Sequence, residues 1–132
     1  MDLEILQIAA DTKNNKDIKN FTHNSKYKSK ICGDEIEISL VVKDNKIIDM
    51  GYQCKSCIYC QASASLLSKL SIDKSLVKIN ELIEFVNDFF KNNNFKFAKE
   101  WKPLEKLFNE KNISRKECIL LPFKTVSKAL KS

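Results

Sequence analysis

The five cysteines are the residues of this chain best suited to chemistry. Cys57 and Cys60 stand three positions apart in the run Cys57-Ile-Tyr-Cys60-Gln-Ala-Ser-Ala-Ser65, and Cys54 precedes them at the same spacing. Cys32, in Cys32-Gly33-Asp34, and Cys118, in Glu117-Cys118-Ile119, lie far off in sequence. Thiolates are soft ligands for zinc and iron–sulfur clusters. An odd number of cysteines in a chain without secretory features reads as reduced thiols rather than disulfides. Cys57 falls in the first turn of a predicted helix, where unpaired amides and the helix dipole favour a negative sulfur. Cys60 is one turn on, on nearly the same face. Cys118 also follows closely on a helix start. Cys32 and Asp34 precede a predicted strand, and in extended backbone alternation would turn both to one side. Three distant segments thus each present a thiol where an element begins. Cys32, Asp34, Cys57 and Cys118 make a four-ligand set of the kind zinc or an exposed cluster accepts.

Other thiol chemistries fit less well. The Cys54/Cys57/Cys60 spacing matches part of a ferredoxin run, but Gln61-Ala62-Ser63-Ala64 continues a helix where a fourth Cys and a Pro would follow. A zinc ribbon needs a second paired motif, and a thioredoxin-like redox pair needs a βαβ setting. A cysteine-protease dyad needs a base, and the only histidine, His23, falls in a polar stretch that reads as surface. Cys54 equally suits a small buried hydrophobe.

These residues must be positioned by a chain of 132 residues, a length that fits one domain over 1–132 and can bury a core without disulfide staples. Two glycines and two prolines argue against a turn-rich sandwich or barrel. No apolar run approaches the roughly 20 residues that span a bilayer, and the acidic start Met1-Asp2-Leu3-Glu4 leads into no signal peptide, so a cytoplasmic protein is expected. The net charge of +6 comes from lysines, with a single arginine, Arg115. Nucleic-acid recognition favours arginine forks and interleaved aromatics, so a solvated lysine surface that can attract an acidic partner is expected instead.

The pattern predicts an α+β fold: a small antiparallel sheet, consisting of a hairpin and an edge strand, packed against several helices. Asp2 is placed as the cap of a helix to Ala10 with Leu3, Leu6 and Ala10 inward. The polar stretch from Asp11 to Lys30 is long for a connection and should carry structure or function, with an edge strand around Lys26 to Lys30. Period-two alternation in residues 35–42 places Ile36, Ile38 and Leu40 on one face, a turn follows at residues 43–46, and a second strand runs over residues 47–54. Ser56 is the expected cap of a helix over residues 57–70. Ser75 is the expected cap of one carrying Ile79, Leu82, Ile83, Val86, Phe89 and Phe90 inward, which Asn92-Asn93-Asn94 should end. Pro103 suits the first turn of a short helix burying Leu104, Leu107 and Phe108. Ser114 and Glu117 form a capping-box pattern for the last helical segment, which Pro122 should kink or restart.

At these residues the chain resembles the NifU-like, U-type iron–sulfur cluster assembly scaffolds. That family shows Asn-Pro-x-Cys-Gly-Asp, then Gly-x-Gly-Cys-x-x-x-x-Ala-Ser-x-Ser, then a late cysteine in the last helix. Here the elements read Ser29-Lys30-Ile31-Cys32-Gly33-Asp34, then Cys54-Lys55-Ser56-Cys57 through Ala62-Ser63-Ala64-Ser65, then Cys118. The resemblance implies that Cys32, Asp34, Cys57 and Cys118 hold a transient [2Fe–2S] cluster or zinc. It implies a cysteine desulfurase as sulfur donor and apo iron–sulfur proteins as recipients. An oxygen donor among thiolates suits a site that must release its cluster. The departures are Ser29-Lys30 for Asn-Pro, Cys54 and Ser56 for the two glycines, and Glu117 where the housekeeping subgroup has His; its Leu-Pro-Pro-Val-Lys motif is also missing. Arg115 is more like the zinc-binding sulfur-mobilisation subgroup, which implies an alternative: a zinc-dependent sulfurtransferase accepting persulfide sulfur on Cys32 or Cys118. A structural zinc module that docks partners is a third reading. Cys60 is extra to the family pattern and could serve as a further ligand, a resolving thiol or packing.

Overall fold

A computed structural model describes residues 3–31, 33–91 and 96–131. Its element order is α1 (Leu3–Ala10), β1 (His23–Lys28), β2 (Glu35–Lys43), β3 (Lys46–Lys55), α2 (Ile58–Ser71), α3 (Leu76–Phe89), two 3₁₀ segments (Lys99–Lys106 and Glu110–Arg115) and α4 (Lys116–Lys131). The fold is α+β, with the three strands forming an antiparallel sheet in the order β1-β2-β3. None of the described helices is long and apolar enough to cross a membrane.

The hairpin forms for local reasons. Ile36, Ile38 and Leu40 alternate onto the buried face of β2, facing Cys54, Tyr52 and Met50 on β3. The connecting turn places Asp44 and Asn45 at φ 53° and 61°, the left-handed region that short polar side chains tolerate. β1 lies further back than expected, starting at His23, and pairs Lys28 with Glu35 at its end. His23 is therefore a strand residue, hydrogen-bonded to the Thr22 hydroxyl (2.9 Å) at the opposite end of β1 from Lys28.

The polar stretch before β1 acts as a strap. The Tyr52 N–H donates to the Asn14 carbonyl (3.0 Å) at the β3 edge. The chain then crosses the outer face of the sheet, where Lys16 and Ile18 lie over Gly51. A methyl group on Gly51 would stand 2.6 Å from the Lys16 carbonyl oxygen, so only glycine admits the crossing. Polar contacts, from the buried Asn14 amide out to the partly exposed Asp11, tie the strap to α2. The Asn14 amide donates to Ser68 Oγ (3.1 Å), Ser65 Oγ donates to the Asp11 carbonyl (2.9 Å), and Asp11 pairs with Lys69.

The core face of the sheet is covered by α2 and α4. Ala62, Ser63, Ala64 and Ser65 are all buried, so small side chains bring α2 close to its neighbours. Ser63 Oγ donates to the Ile119 carbonyl (2.6 Å), and Ser25 Oγ on β1 donates to the Thr125 carbonyl (2.7 Å); both pin α4. Ile79, Leu82, Ile83, Val86 and Phe89 form the buried face of α3, and Ser75 caps it by accepting from the Lys78 N–H (3.2 Å). Leu104, Leu107 and Phe108 are buried as expected, although Lys99–Lys106 is a 3₁₀ segment with Pro103 inside it. Phe108 meets Phe89 and Phe123 edge to face.

Several local expectations are corrected. In α1 the buried stripe is Ile5 and Ala9, with Leu3 and Ala10 exposed. Apolar residues surround that helix, so periodicity alone does not choose its inward side. Asp2 and residues 92–94 lie outside the described residues; α3 stops at Phe89 with Phe90 as its C-cap. Cys57, not Ser56, occupies the N-cap position of α2, and its side chain makes no capping bond. Ser114 caps nothing because it lies in the 3₁₀ segment leading into α4, where the Lys116 N–H finds the Ile113 carbonyl; Glu117 pairs with Lys124 (3.3 Å). α4 runs through Pro122 without a break. The proline removes one donor, the one due to Cys118 in the first turn, and the helix is held by its buried face.

Candidate functional site

Antiparallel pairing brings the chemistry together. Lys28 ends β1, Glu35 opens β2 and Lys55 ends β3, and these three residues are register partners. The β1–β2 turn and the β3–α2 junction therefore lie at one end of the sheet. The turn is closed by Ser29 N–H to the Asp34 carbonyl (2.8 Å) and Gly33 N–H to the Ser29 carbonyl (2.9 Å), with Gly33 at φ +75°. The positive φ at Gly33 interrupts extended backbone before Asp34, so the alternation argument does not apply there. Gly33 serves by its positive φ, since an added Cβ would meet nothing within 4 Å.

This turn aims Asp34 at the start of α2. Its Oδ1 accepts the Cys57 N–H at 3.2 Å. That bond satisfies an amide at the helix start, where the helix dipole favours negative charge. The start of α4 approaches from the other side, carrying Cys118. A carboxylate oxygen of Asp34 and the sulfurs of Cys57 and Cys118 lie within 4.8 Å of one another. Asp34 is 7% exposed and Cys118 4%, whereas Cys57 is partly exposed. Cys32 lies outside the described residues.

Asp34 Oδ2 is buried and has no hydrogen-bond partner among the described residues. A buried carboxylate oxygen in that state is costly unless a cation or donor satisfies it. Two thiols and this oxygen form a mixed soft and hard donor set. A tetrahedral zinc–thiolate site spaces its sulfurs by about 3.8 Å, so the observed grouping needs only slight closure around one ion.

Cys54 and Cys60 stand beside this group without joining it. Cys60 has no exposed surface and belongs to the hydrophobic core. Burial pushes its thiol up, beyond the ordinary cysteine range, and does the same to Cys54. The Arg115 guanidinium lies over the Tyr59 ring, 5.3 Å from its centre, bringing the end of the 3₁₀ segment against the first turn of α2. No spacing in the sequence signals that contact. Gln61 Nε2 donates to the Ser56 carbonyl (3.0 Å), bracing the junction before Cys57.

Residues 3–90 match the family model described as the NifU-like N-terminal domain. A Thermotoga maritima protein named iron–sulfur cluster assembly scaffold protein IscU is 35% identical over 101 residues, covering 76% of this chain and 70% of its own length. An uncharacterized protein of Borreliella burgdorferi is 36% identical over 115 residues, covering 86% and 75% respectively. Among solved structures, a nitrogen-fixing NifU-like protein (N-terminal) from Brucella abortus superposes with a TM-score of 0.89 at 18% identity, covering 98% of this chain and 91% of that one. A putative iron–sulfur cluster assembly scaffold protein for the SUF system from Fervidobacterium islandicum also superposes with a TM-score of 0.89, at 24% identity, covering 98% and 96%. At these identities the two structures show a shared fold.

Proposed function

The chain belongs to the NifU-like N-terminal domain family, and on that premise we propose that it is a cytoplasmic scaffold for iron–sulfur cluster assembly, one domain over residues 1–132. The observation that carries this reading is the meeting of Asp34, Cys57 and Cys118 from three distant segments. With Cys32 as the fourth ligand, they receive iron and desulfurase-derived sulfur, hold a [2Fe–2S] cluster as cargo, and yield it to apo-proteins. The thiolates bind the iron, and the helix starts at Cys57 and near Cys118 favour the negative charge that accumulates there. Asp34 supplies a weaker, harder donor, which makes release easier than four thiolates would.

Anaerobic reconstitution with ferrous iron and sulfide tests this. The full chain should acquire the visible absorption of a bound cluster, and the Cys57→Ser/Cys118→Ser variant should not. Equal iron and sulfide uptake by that variant, with its fold intact by circular dichroism, would sink the reading. Asp34→Ala should take up a cluster and pass it to an apo-ferredoxin more slowly, by about threefold or more.

Arg115, three residues before Cys118 as in the zinc-binding sulfur-mobilisation subgroup that the chain resembles, supports a second reading, in which the site holds zinc and accepts sulfur. A thiolate of the site attacks the outer sulfur of a desulfurase persulfide. A new S–S bond forms as the old one breaks, and the electron pair leaves on the donor's thiolate. Cys57, the most accessible of the grouped thiols, is an acceptor to test beside Cys32 and Cys118. Mass spectrometry after incubation with desulfurase and cysteine should then show a persulfide on one of the three; unmodified thiols would rule this reading out.

A further inference from the structure

The grouped thiols stand on different helices, Cys57 at the N-cap of α2 and Cys118 in the first turn of α4. The spacing of their sulfurs is therefore decided by how α4 sits on α2. Packed helices share no backbone ladder, so side chains must fix that placement.

Two ties do so, and they bracket Cys118 in the chain. On the outside, the Arg115 guanidinium lies over the Tyr59 ring, 5.3 Å from its centre. Inside, Ser63 Oγ donates to the Ile119 carbonyl at 2.6 Å, with Ser63 and Ile119 both fully buried. The ties differ in precision. A guanidinium can slide over a ring at little cost, whereas a hydroxyl–carbonyl bond holds its distance and angle. Ile119 directly follows Cys118, and Ser63 stands six positions past Cys57, about 9 Å along the helix axis. The buried Ala62 and Ala64 on either side leave room for the approach.

We infer that Ser63 is a positioning residue for the candidate site: its hydroxyl holds the first turn of α4 where Cys118 stays within ligand distance of Cys57 and Asp34. It acts through the Ile119 carbonyl rather than on the ligands themselves. The inference rests on the metal-binding part of the scaffold reading. Zinc–sulfur bonds are short, about 2.3 Å, so a displacement of Cys118 by roughly 0.5 Å distorts the coordination or lengthens a bond. Without the hydroxyl, the Ile119 carbonyl still has its own helical partner one turn on. Removing Ser63 Oγ therefore loosens where α4 sits without unwinding it.

The test is zinc binding by the full chain, read by competition with a chromophoric chelator, with Co²⁺ absorption as the measure of geometry. Ser63→Ala is expected to fold, since alanine suits a helix and positions 62 and 64 already carry it. It should bind zinc about tenfold or more weakly than wild type, and its Co²⁺ complex should lose intensity in the visible bands of a tetrahedral site. Ser63→Thr, which keeps the donor, should bind more tightly than its isostere Ser63→Val by a similar factor. That pair carries the test if Ser63→Ala does not fold. Ser25→Ala and Ser68→Ala remove other buried hydroxyl–carbonyl bonds, to Thr125 on α4 (2.7 Å) and to Ser65 on α2 (2.8 Å). Both should lower the urea midpoint as Ser63→Ala does, yet change zinc affinity less than about twofold. Equal weakening in these controls would reduce the effect to stability and overturn the proposal, as would unchanged affinity and spectrum in Ser63→Ala. Wild type that takes up neither zinc nor an iron–sulfur cluster would overturn the scaffold reading and the positioning role together. Wild type that binds, with Ser63→Ala binding equally, would overturn the positioning role alone.

Discussion

Cys60 sits one helical turn from Cys57, yet it has no exposed surface, and burial holds its thiol protonated well above the ordinary range near 9. A raised thiol stabilises the fold fully below that ordinary value, and its contribution falls as pH rises above it, because the unfolded chain then loses a proton that the folded chain keeps. Urea unfolding of wild type should therefore show stability declining above pH ~9, and Cys60→Ala should flatten that decline. Part of the slope should remain, since burial raises Cys54 in the same direction. At neutral pH the substitution should cost about 1 kcal/mol for lost packing. Iron uptake should be unchanged; a loss of uptake with the fold intact would instead make Cys60 a ligand. Asp34 differs from Cys60 in having a buried oxygen without a partner, which is what a group awaiting a ligand looks like.

Among the elements, the sheet and its strap set the site's geometry. The strap can cross the sheet only because β3 has no side chain at position 51. Gly51→Ala should therefore cost about 2–4 kcal/mol by urea denaturation, as the methyl group must displace the backbone at Lys16 and the Ile18 side chain. Gly33→Ala offers the contrast: its added methyl group meets open space, so only the positive φ is penalised, by about 1–2 kcal/mol. A Gly51→Ala variant as stable as wild type would mean that the strap does not pack on the sheet in solution. The helices obey the same logic of close approach, with Ser63 reaching from α2 to the Ile119 carbonyl and so setting where Cys118 stands.

Over the whole molecule, the ion pair of Asp11 with Lys69 joins the strap to α2. The Lys69 ammonium, helped by the Lys13 N–H, lowers the Asp11 carboxyl below its ordinary value of 3.8. A depressed carboxyl contributes stability above that ordinary value and loses it as pH falls through the lower folded value. Wild type should melt above Asp11→Asn at pH ~6, and the gap should close by pH ~2 in a thermal melt. A gap that persisted in acid would show that the amide acts through packing. The net charge of +6 reads in the sequence as a solvated surface, and pairing β1 with β2 sets Lys26 and Lys28 opposite Glu37 and Glu35. Local signals are legible in the residues themselves: the alternation of Ile36, Ile38 and Leu40, the turn at Asp44-Asn45, the cap at Ser75 and the apolar face of α3 depend on neighbours within a few positions. The inward side of α1, the strap over Gly51 and the unbroken passage of α4 through Pro122 depend on what packs against them, so no spacing reveals them. The sequence by itself determined the α+β class and singled out Asp34, Cys57 and Cys118 by residue type and by their places at the starts of elements. Only the tertiary structure decided that their ligand atoms stand within 4.8 Å of one another while Cys60 stays buried aside, because that distance is set by strand register and helix packing between segments far apart in the chain.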